Sequence, residues 1–207
     1  SGGEPLLHPE FLKILKFSCE TFFHVALLTN GILLNEEILK VLEDFKDRTS
    51  LQISFPSLSP QKYSEITGKD LWNKLQKNLF LLKDKNISFR IGMVIVNEEQ
   101  LLEIDRAAEF AYSIGASQIV FQPFINLGRG SVLQPFIQME KFISKLEKLF
   151  QRFPKNFLGV YEGNLLESDS INCGAGTRSI VYDPLGKMRP CPMFPEIFST
   201  YSLDDPH

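Results

Sequence analysis

The sequence predicts an α/β fold, a partial (β/α) barrel of parallel strands followed by the start of a small β-hairpin domain. Three observations predict it. Apolar runs of strand length alternate with amphipathic helical stretches from residue 8 to residue 152, as in parallel sheets whose strands are linked by helices. The runs are apolar at successive positions, which is typical of strands covered on both faces. After residue 153 the alternation stops, and a Pro- and Gly-containing turn signal follows.

Four apolar runs predict the strands of the barrel. They comprise residues 22–28, 51–55, 89–96 and 118–124, with 157–160 as a candidate last strand. Four parallel strands alone would leave an apolar sheet edge open. We therefore expect further strands upstream of Ser1, and hence a longer protein of which this sequence is a piece.

Capping signals mark the helices between these strands. Pro9 stands at a favourable first helical position, and Asn35 is a favourable N-cap for the next helix. Asn97 and Gln100 form a capping box for a later helix. Gly115 is a typical residue just beyond the C-terminus of that helix.

The composition excludes several classes of protein. Hydrophobic residues make up 43% of the 207 positions, and the net charge of −3 argues against a nucleic-acid-binding domain. No apolar run reaches the ~18–20 residues of a membrane span. The three cysteines, Cys19, Cys173 and Cys191, are too few for a disulfide framework. Their odd number favours a reducing compartment, and we expect a cytoplasmic location.

The opening residues form the first candidate site. Gly2, Gly3 and Glu4 precede Pro5, at a place where an α/β fold collects its functional groups. Two glycines allow a ligand to approach the backbone, and a carboxylate can pair with an ammonium group. A plain tight turn is the alternative interpretation of the same residues.

The second candidate is a cysteine pair around a hairpin signal. Cys173 and Cys191 enclose Asp183-Pro184-Leu185-Gly186 in the spacing Cys-x12-Gly-x4-Cys. A hairpin can bring two thiolates to one metal, and thiolates favour zinc or an iron–sulfur cluster. Two ligands do not close a metal site, so two buried structural cysteines are the alternative.

In their order and separation these motifs resemble the radical S-adenosylmethionine (radical SAM) enzymes with a C-terminal SPASM or twitch extension. Residues 1–7 are similar to the family's second-strand motif, Thr29-Asn30-Gly31 to the end of its third strand, and Leu51-Gln52-Ile53-Ser54 to its fourth. Two features depart from the family. Phe55-Pro56 replaces the usual Asp-Gly, and the CxxxCxxC loop is absent, which we interpret as loss of an upstream segment.

The resemblance implies a site for S-adenosylmethionine (SAM). If these residues have the roles of the matching residues in the family, Gly2, Gly3 and Glu4 would hold the methionine ammonium group. Ser54 would face the ribose or the carboxylate, and Lys77 would pair with the SAM carboxylate.

The resemblance also implies two kinds of iron–sulfur cluster. A SAM-cleaving 4Fe–4S cluster would be held by cysteines that this sequence lacks, and Cys173 and Cys191 would ligate an auxiliary cluster. Residues 1–162 would then be the partial radical SAM barrel, and residues 163–207 the start of the SPASM or twitch domain.

The implied reaction is reductive cleavage of SAM to a 5′-deoxyadenosyl radical that abstracts hydrogen from a peptide or protein. An electron donor such as flavodoxin or ferredoxin would supply the electron. Two alternatives stay open: a radical SAM enzyme of cofactor biosynthesis (haem, quinone or molybdopterin type), and a non-catalytic barrel scaffold without the cluster.

Overall fold

Five parallel strands form the central sheet, in the order in which they occur along the chain. The structure, a computed structural model, describes residues 3–124, 138–160, 180–183 and 186–190, and the backbone of 201–202. The strands are β1 (Val25–Thr29), β2 (Thr49–Ser54), β3 (Phe89–Ile95), β4 (Gln118–Pro123) and β5 (Leu158–Val160). A sequential, all-parallel order is the order of strands in a (β/α) barrel. The predicted α/β fold is confirmed, and the candidate last strand is β5.

Six described helices alternate with these strands. They are α1 (Phe11–Thr21), α2 (Glu36–Asp44), α3 (Pro60–Thr67), α4 (Trp72–Asp84), α5 (Glu98–Ser113) and α6 (Met139–Phe150). The two predicted N-caps are confirmed: Asn35 Oδ1 accepts from Ile38 N at 3.0 Å, and Asn97 Oδ1 accepts from Gln100 N at 2.9 Å. The reciprocal bond of the predicted capping box differs, because Gln100 Oε1 accepts from Val96 N rather than from Asn97 N. Gly115 follows α5 with φ +77°, as expected for the residue that ends a helix.

Two boundaries near the start differ from the prediction. α1 begins at Phe11 rather than at Pro9, and Pro5 instead opens a short 3₁₀ helix. The apolar run 22–28 enters the sheet only at Val25, and Phe23 is 95% exposed. Apolarity alone therefore overestimated the length of this strand, because Phe23 lies outside the ladder. α3 was not predicted, although Ser59 caps it and Gly68 ends it in the left-handed conformation.

The sheet has two different faces, which corrects the prediction that both are covered. On the outer face lie buried side chains such as Ile53, Ile91 and Phe121. Between them, Gln52, Arg90, Gly92 and other residues point to the opposite face, here called the inner face. Along β3 the burial alternates residue by residue, and Val94 on the inner face is 42% exposed. A polar residue stands at every second position of β2, which is the pattern of a half-buried strand.

The helices pack on the outer face. The ring of Phe55, which follows β2, lies 5.3 Å from the ring of Trp72 at the start of α4. Leu75 of α4 and Ile53 of β2 both approach the same loop residue, Gly31. The core thus fills the layer between strands and helices. Within the described residues, no helix is long and apolar enough to span a membrane.

The chain divides into two compact units, Glu4–Tyr161 and a smaller one formed by Ser1–Gly3 with Glu162–His207. In the smaller unit β6 (Val181–Tyr182), β7 (Lys187–Arg189) and β8 (Tyr201–Ser202) form an antiparallel sheet. The predicted hairpin is present, since Gly186 N donates to Asp183 O at 2.9 Å. Most of residues 163–207 lie outside the described part, so the domain assignment stays a prediction.

Candidate functional site

Glu4 connects the opening segment to the carboxyl end of β1. Its Oε1 accepts from Thr29 Oγ1 at 2.5 Å, and its Oε2 accepts from Asn30 N at 2.7 Å. Oε1 also accepts from Leu6 N at 3.1 Å, which caps the 3₁₀ helix. A charged acceptor strengthens each of these hydrogen bonds. The side chain of Glu4 is therefore fixed by β1 and by its own turn.

The turn after β1 is rigid. Thr29 is buried, and its hydroxyl accepts from Gly31 N at 3.1 Å while it donates to Glu4. Asn30 Oδ1 accepts from Ile32 N at 2.9 Å. These contacts hold Thr29-Asn30-Gly31 in one conformation, which fixes the partner of the Glu4 carboxylate.

Gly31 cannot be replaced without strain in this turn. Its φ of +75° lies in the left-handed region. A Cβ atom here would lie 3.1 Å from Leu75 Cδ1 and 3.2 Å from Ile53 Cγ2. Both the backbone conformation and the close approach of the core therefore require glycine.

Asn78 on α4 stabilises the turn through hydrogen bonds to its backbone carbonyls. This buried amide on α4 donates from Nδ2 to Gly31 O at 2.7 Å and to Ile32 O at 3.2 Å. Sequence reasoning missed its role. The signal was a lone amide on the otherwise apolar face of α4, beside Leu75, Leu79 and Leu82, since a buried amide needs hydrogen-bond partners.

The other SAM-site candidates are placed as follows. Gly3 has φ +95°, and a Cβ atom there would meet no atom within 4 Å, so its backbone conformation rather than crowding favours glycine. Gly2 lies outside the described residues. Ser54 ends β2 beside Gly92 of β3, is exposed, and carries a hydroxyl free of protein partners among the described residues. Because Thr29 pairs with Ile53, Ser54 lies at the same sheet edge as the Asn30 turn.

Lys77 is not brought together with these residues. It is exposed on α4, the helix whose Trp72 and Leu75 pack against the outer face. Ser54 alternates with Ile53 and so faces the other side of the sheet. The pairing of Lys77 with a SAM carboxylate stays a prediction.

The sulfur ligands are only partly described. Cys19 is fully buried in α1, and burial, followed by the charge of Glu20, raises the pKa of its thiol. Cys173 and Cys191 lie outside the described residues. In the described part, no cluster of three or more His, Cys, Asp or Glu side chains could hold a metal.

The arrangement fits a zwitterionic ligand with an ammonium group and hydroxyls. A carboxylate offers about four lone-pair positions that can accept hydrogen bonds. Three protein donors occupy three of these positions on Glu4. One position is left for a ligand donor. The free hydroxyl of Ser54 can donate to or accept from a ligand at the same edge.

Comparison with known proteins gives a family match. A family model described as "Radical SAM superfamily" matches residues 1–111. The antilisterial bacteriocin subtilosin biosynthesis protein AlbA of Bacillus subtilis (strain 168) is 32% identical over 206 residues, which cover 96% of this chain and 45% of AlbA. The AdoMet-dependent heme synthase of Methanosarcina barkeri (strain Fusaro / DSM 804) is 24% identical over 220 residues, which cover 94% of this chain and 62% of that protein. The chain thus spans less than two thirds of either relative.

A solved structure shares the fold. Streptococcus suis SuiB, in its complex with the precursor peptide SuiA, superposes with a TM-score of 0.77 at 14% identity. The match covers 92% of this chain and 47% of SuiB. At this identity the likeness concerns the fold, and it agrees with the five-stranded parallel sheet described above.

Proposed function

The chain belongs to the radical SAM superfamily, and on that premise we propose that the full-length protein reductively cleaves SAM to a 5′-deoxyadenosyl radical for hydrogen abstraction from a peptide or protein. The observation that carries the proposal is the Glu4 carboxylate fixed against Thr29 and Asn30. It presents one remaining acceptor position at the carboxyl ends of parallel strands, where such folds bind their ligands.

Each residue of the site has a defined task in this proposal. The backbone of Gly2 and Gly3 and the free lone pair of Glu4 accept from the methionine ammonium group. Ser54 binds the ribose or the carboxylate of SAM. The hydrogen bonds between Glu4 and the β1 turn orient its carboxylate before SAM arrives, so little reorganisation is needed on binding.

Members of this family use SAM together with a 4Fe–4S cluster, which supplies the electron that cleaves SAM. Among the described residues, no group of three or more His, Cys, Asp or Glu side chains could hold such a cluster. Cys173 and Cys191 would ligate an auxiliary cluster in a SPASM or twitch domain at residues 163–207. A flavodoxin or ferredoxin in the cytoplasm would deliver the electron.

Two relatives support a proposal for the substrate class. One is named for bacteriocin biosynthesis, and the SuiB structure contains a precursor peptide. We therefore propose a peptide or protein substrate. Cofactor biosynthesis is the second candidate, favoured by the similarity to a heme synthase at lower identity.

Product formation tests the proposal. Full-length protein purified without oxygen is incubated with SAM and dithionite, and 5′-deoxyadenosine is measured by chromatography. We expect iron–sulfur absorbance and 5′-deoxyadenosine that depends on SAM and reductant. Folded protein that shows neither would refute the proposal and favour the non-catalytic scaffold.

A further inference from the structure

The inner face of the sheet carries one positive charge and no negative charge among its described residues. Arg90 is that cation, in β3, and it pairs in register with Gln52 of β2 and Gln118 of β4. The other described inner-face residues of the strands are neutral: Ala26, Leu28, Ser50, Ser54, Gly92, Val94, Val120, Gln122 and Gly159. The guanidinium of Arg90 thus has no counter-charge on its own face.

Among the described residues, no side chain or carbonyl accepts a hydrogen bond from the side chain of Arg90. Its Nε is buried without a partner, and none of the ion pairs of the described residues includes it. A buried donor of a cation without an acceptor destabilises a folded chain. A bound ligand that supplies a hydrogen-bond acceptor would remove this cost.

A neighbouring side chain adds a second donor beside Arg90. Gly92 is the next inner-face residue along β3, and a Cβ atom there would lie 2.8 Å from Gln52 Nε2. The Gln52 amide therefore lies over Gly92, beside Arg90, and no described residue occupies its hydrogen-bonding groups. In contrast, Gln118 Nε2 already donates to Asn156 O at 3.3 Å.

These observations define the ligand chemistry. A planar guanidinium and an amide N–H offer donors only, and a guanidinium binds a carboxylate through two parallel hydrogen bonds. We infer that Arg90 and Gln52 bind a carboxylate of the substrate, the side chain of an Asp or Glu in the peptide. This inference rests on the proposed peptide substrate.

The depth of the site separates this carboxylate from that of SAM. Arg90 precedes Gly92, the partner of Ser54, by two residues, which places it about 7 Å deeper along the strand. The SAM site lies at the strand ends, with Glu4 and Ser54. Arg90 is thus a specificity-determining residue for the peptide.

A pair of probe peptides tests the inference. Binding of acetyl-Gly-Glu-Gly-amide and of its Gln counterpart to the full-length protein is measured by saturation-transfer NMR. The wild type should bind the Glu peptide at least fivefold more tightly. In R90Q the preference should vanish, while R106Q, which removes an exposed arginine of α5, should keep it. R90K, which keeps the charge but not the two parallel donors, should show an intermediate preference.

Two further measurements distinguish a loss of peptide preference from a loss of SAM binding or of stability. The SAM dissociation constant and the 5′-deoxyadenosine formed without peptide should stay within twofold in R90Q. The thermal midpoint should not fall, because the substitution removes an unpartnered buried donor rather than a contact. Equal binding of both peptides by the wild type, or weaker SAM binding by R90Q, would overturn the inference. Absence of 5′-deoxyadenosine in the wild type would refute the proposed function, yet the peptide preference could still be measured.

Discussion

The outer and inner faces of one sheet differ in almost every property, although they are made by alternate residues of the same strands. On the outer face Ile91, Met93 and Phe121 are at most 1% exposed and pack under helices. On the inner face Arg90 lies between two glutamines, and glycine stands at Gly92. The difference teaches that stability and recognition are separated here by the two-residue period of the strand. Substitutions one residue apart should therefore affect different properties.

The largest effect is expected from truncation of the outer face. Phe121→Ala should lower the free energy of unfolding by about 3–5 kcal/mol, because it leaves a cavity in a fully buried layer. Val120→Ala, one residue earlier on the inner face, should cost far less. Urea unfolding followed by circular dichroism measures both. If Phe121→Ala does not fold, Ile91→Val should still show a loss of about 0.5–1.5 kcal/mol. Equal losses at 120 and 121 would contradict the two-face description.

Thiol labelling compares the accessibility of the two sides directly. Cys19 is fully buried in α1, and burial raises the pKa of its thiol, so it should react slowly with iodoacetamide. A cysteine introduced by Ser54→Cys should react at least about 100-fold faster, because position 54 is exposed. Peptide mapping by mass spectrometry distinguishes the two sites. Comparable rates in the folded protein would mean that the inner face is covered.

The pKa of Cys19 also sets the sign of a pH effect. Folding raises the pKa of the Cys19 thiol. Below the pKa of the unfolded thiol, the free energy of unfolding does not depend on this group. Above that pH the unfolded state loses the proton first, so the free energy of unfolding falls as the pH rises. Urea unfolding measured at a series of pH values should show a smaller decline in Cys19→Ala. The decline at higher pH should remain, because burial also raises the pKa of the Tyr63 hydroxyl.

A smaller loss is expected where the helix layer supports the turn after β1. Asn78→Leu leaves the carbonyls of Gly31 and Ile32 without their side-chain donor. The free energy of unfolding should fall by about 1–3 kcal/mol. Lys77→Leu, the exposed neighbour, is the matched control and should change it little. An Asn78→Leu protein as stable as the wild type would show that water replaces the amide.

The smallest effect is expected on the open side of β3. Val94→Thr should change the free energy of unfolding by less than about 0.5 kcal/mol, because Val94 is 42% exposed and both side chains suit a strand. Ile95→Thr, at 0% exposure, should cost about 1–3 kcal/mol through burial of a hydroxyl. A larger loss at 94 than at 95 would reverse the assignment of the faces.

Much of the fold was predictable because its signals are local. The caps at Asn35 and Asn97 and the glycine after α5 act through neighbouring backbone groups, so sequence spacing suffices to find them. The open inner face was not predicted. The Ser and Gln residues of β2 were counted within an apolar run, whereas their alternation marks one polar side.

The site was predictable in part for the same reason. Glu4 and Thr29-Asn30-Gly31 were both singled out, but the bonds between them join residues 25 and 26 positions apart. Spacing does not reveal such contacts. Asn78 and Arg90 act through partners on other elements, so only the assembled sheet shows what they face.

Binding of SAM by the full-length protein tests the central claim most directly. Glu4→Gln keeps the size of the side chain but loses its charge and one of its acceptor oxygens, so it cannot satisfy Thr29, Asn30 and a ligand together. The SAM dissociation constant, measured by equilibrium dialysis without oxygen, should rise about 10- to 100-fold, the equivalent of one charge-assisted hydrogen bond. Glu147→Gln, an exposed carboxylate of α6, should leave it unchanged. Equal SAM affinity in folded Glu4→Gln and wild-type protein would contradict the account.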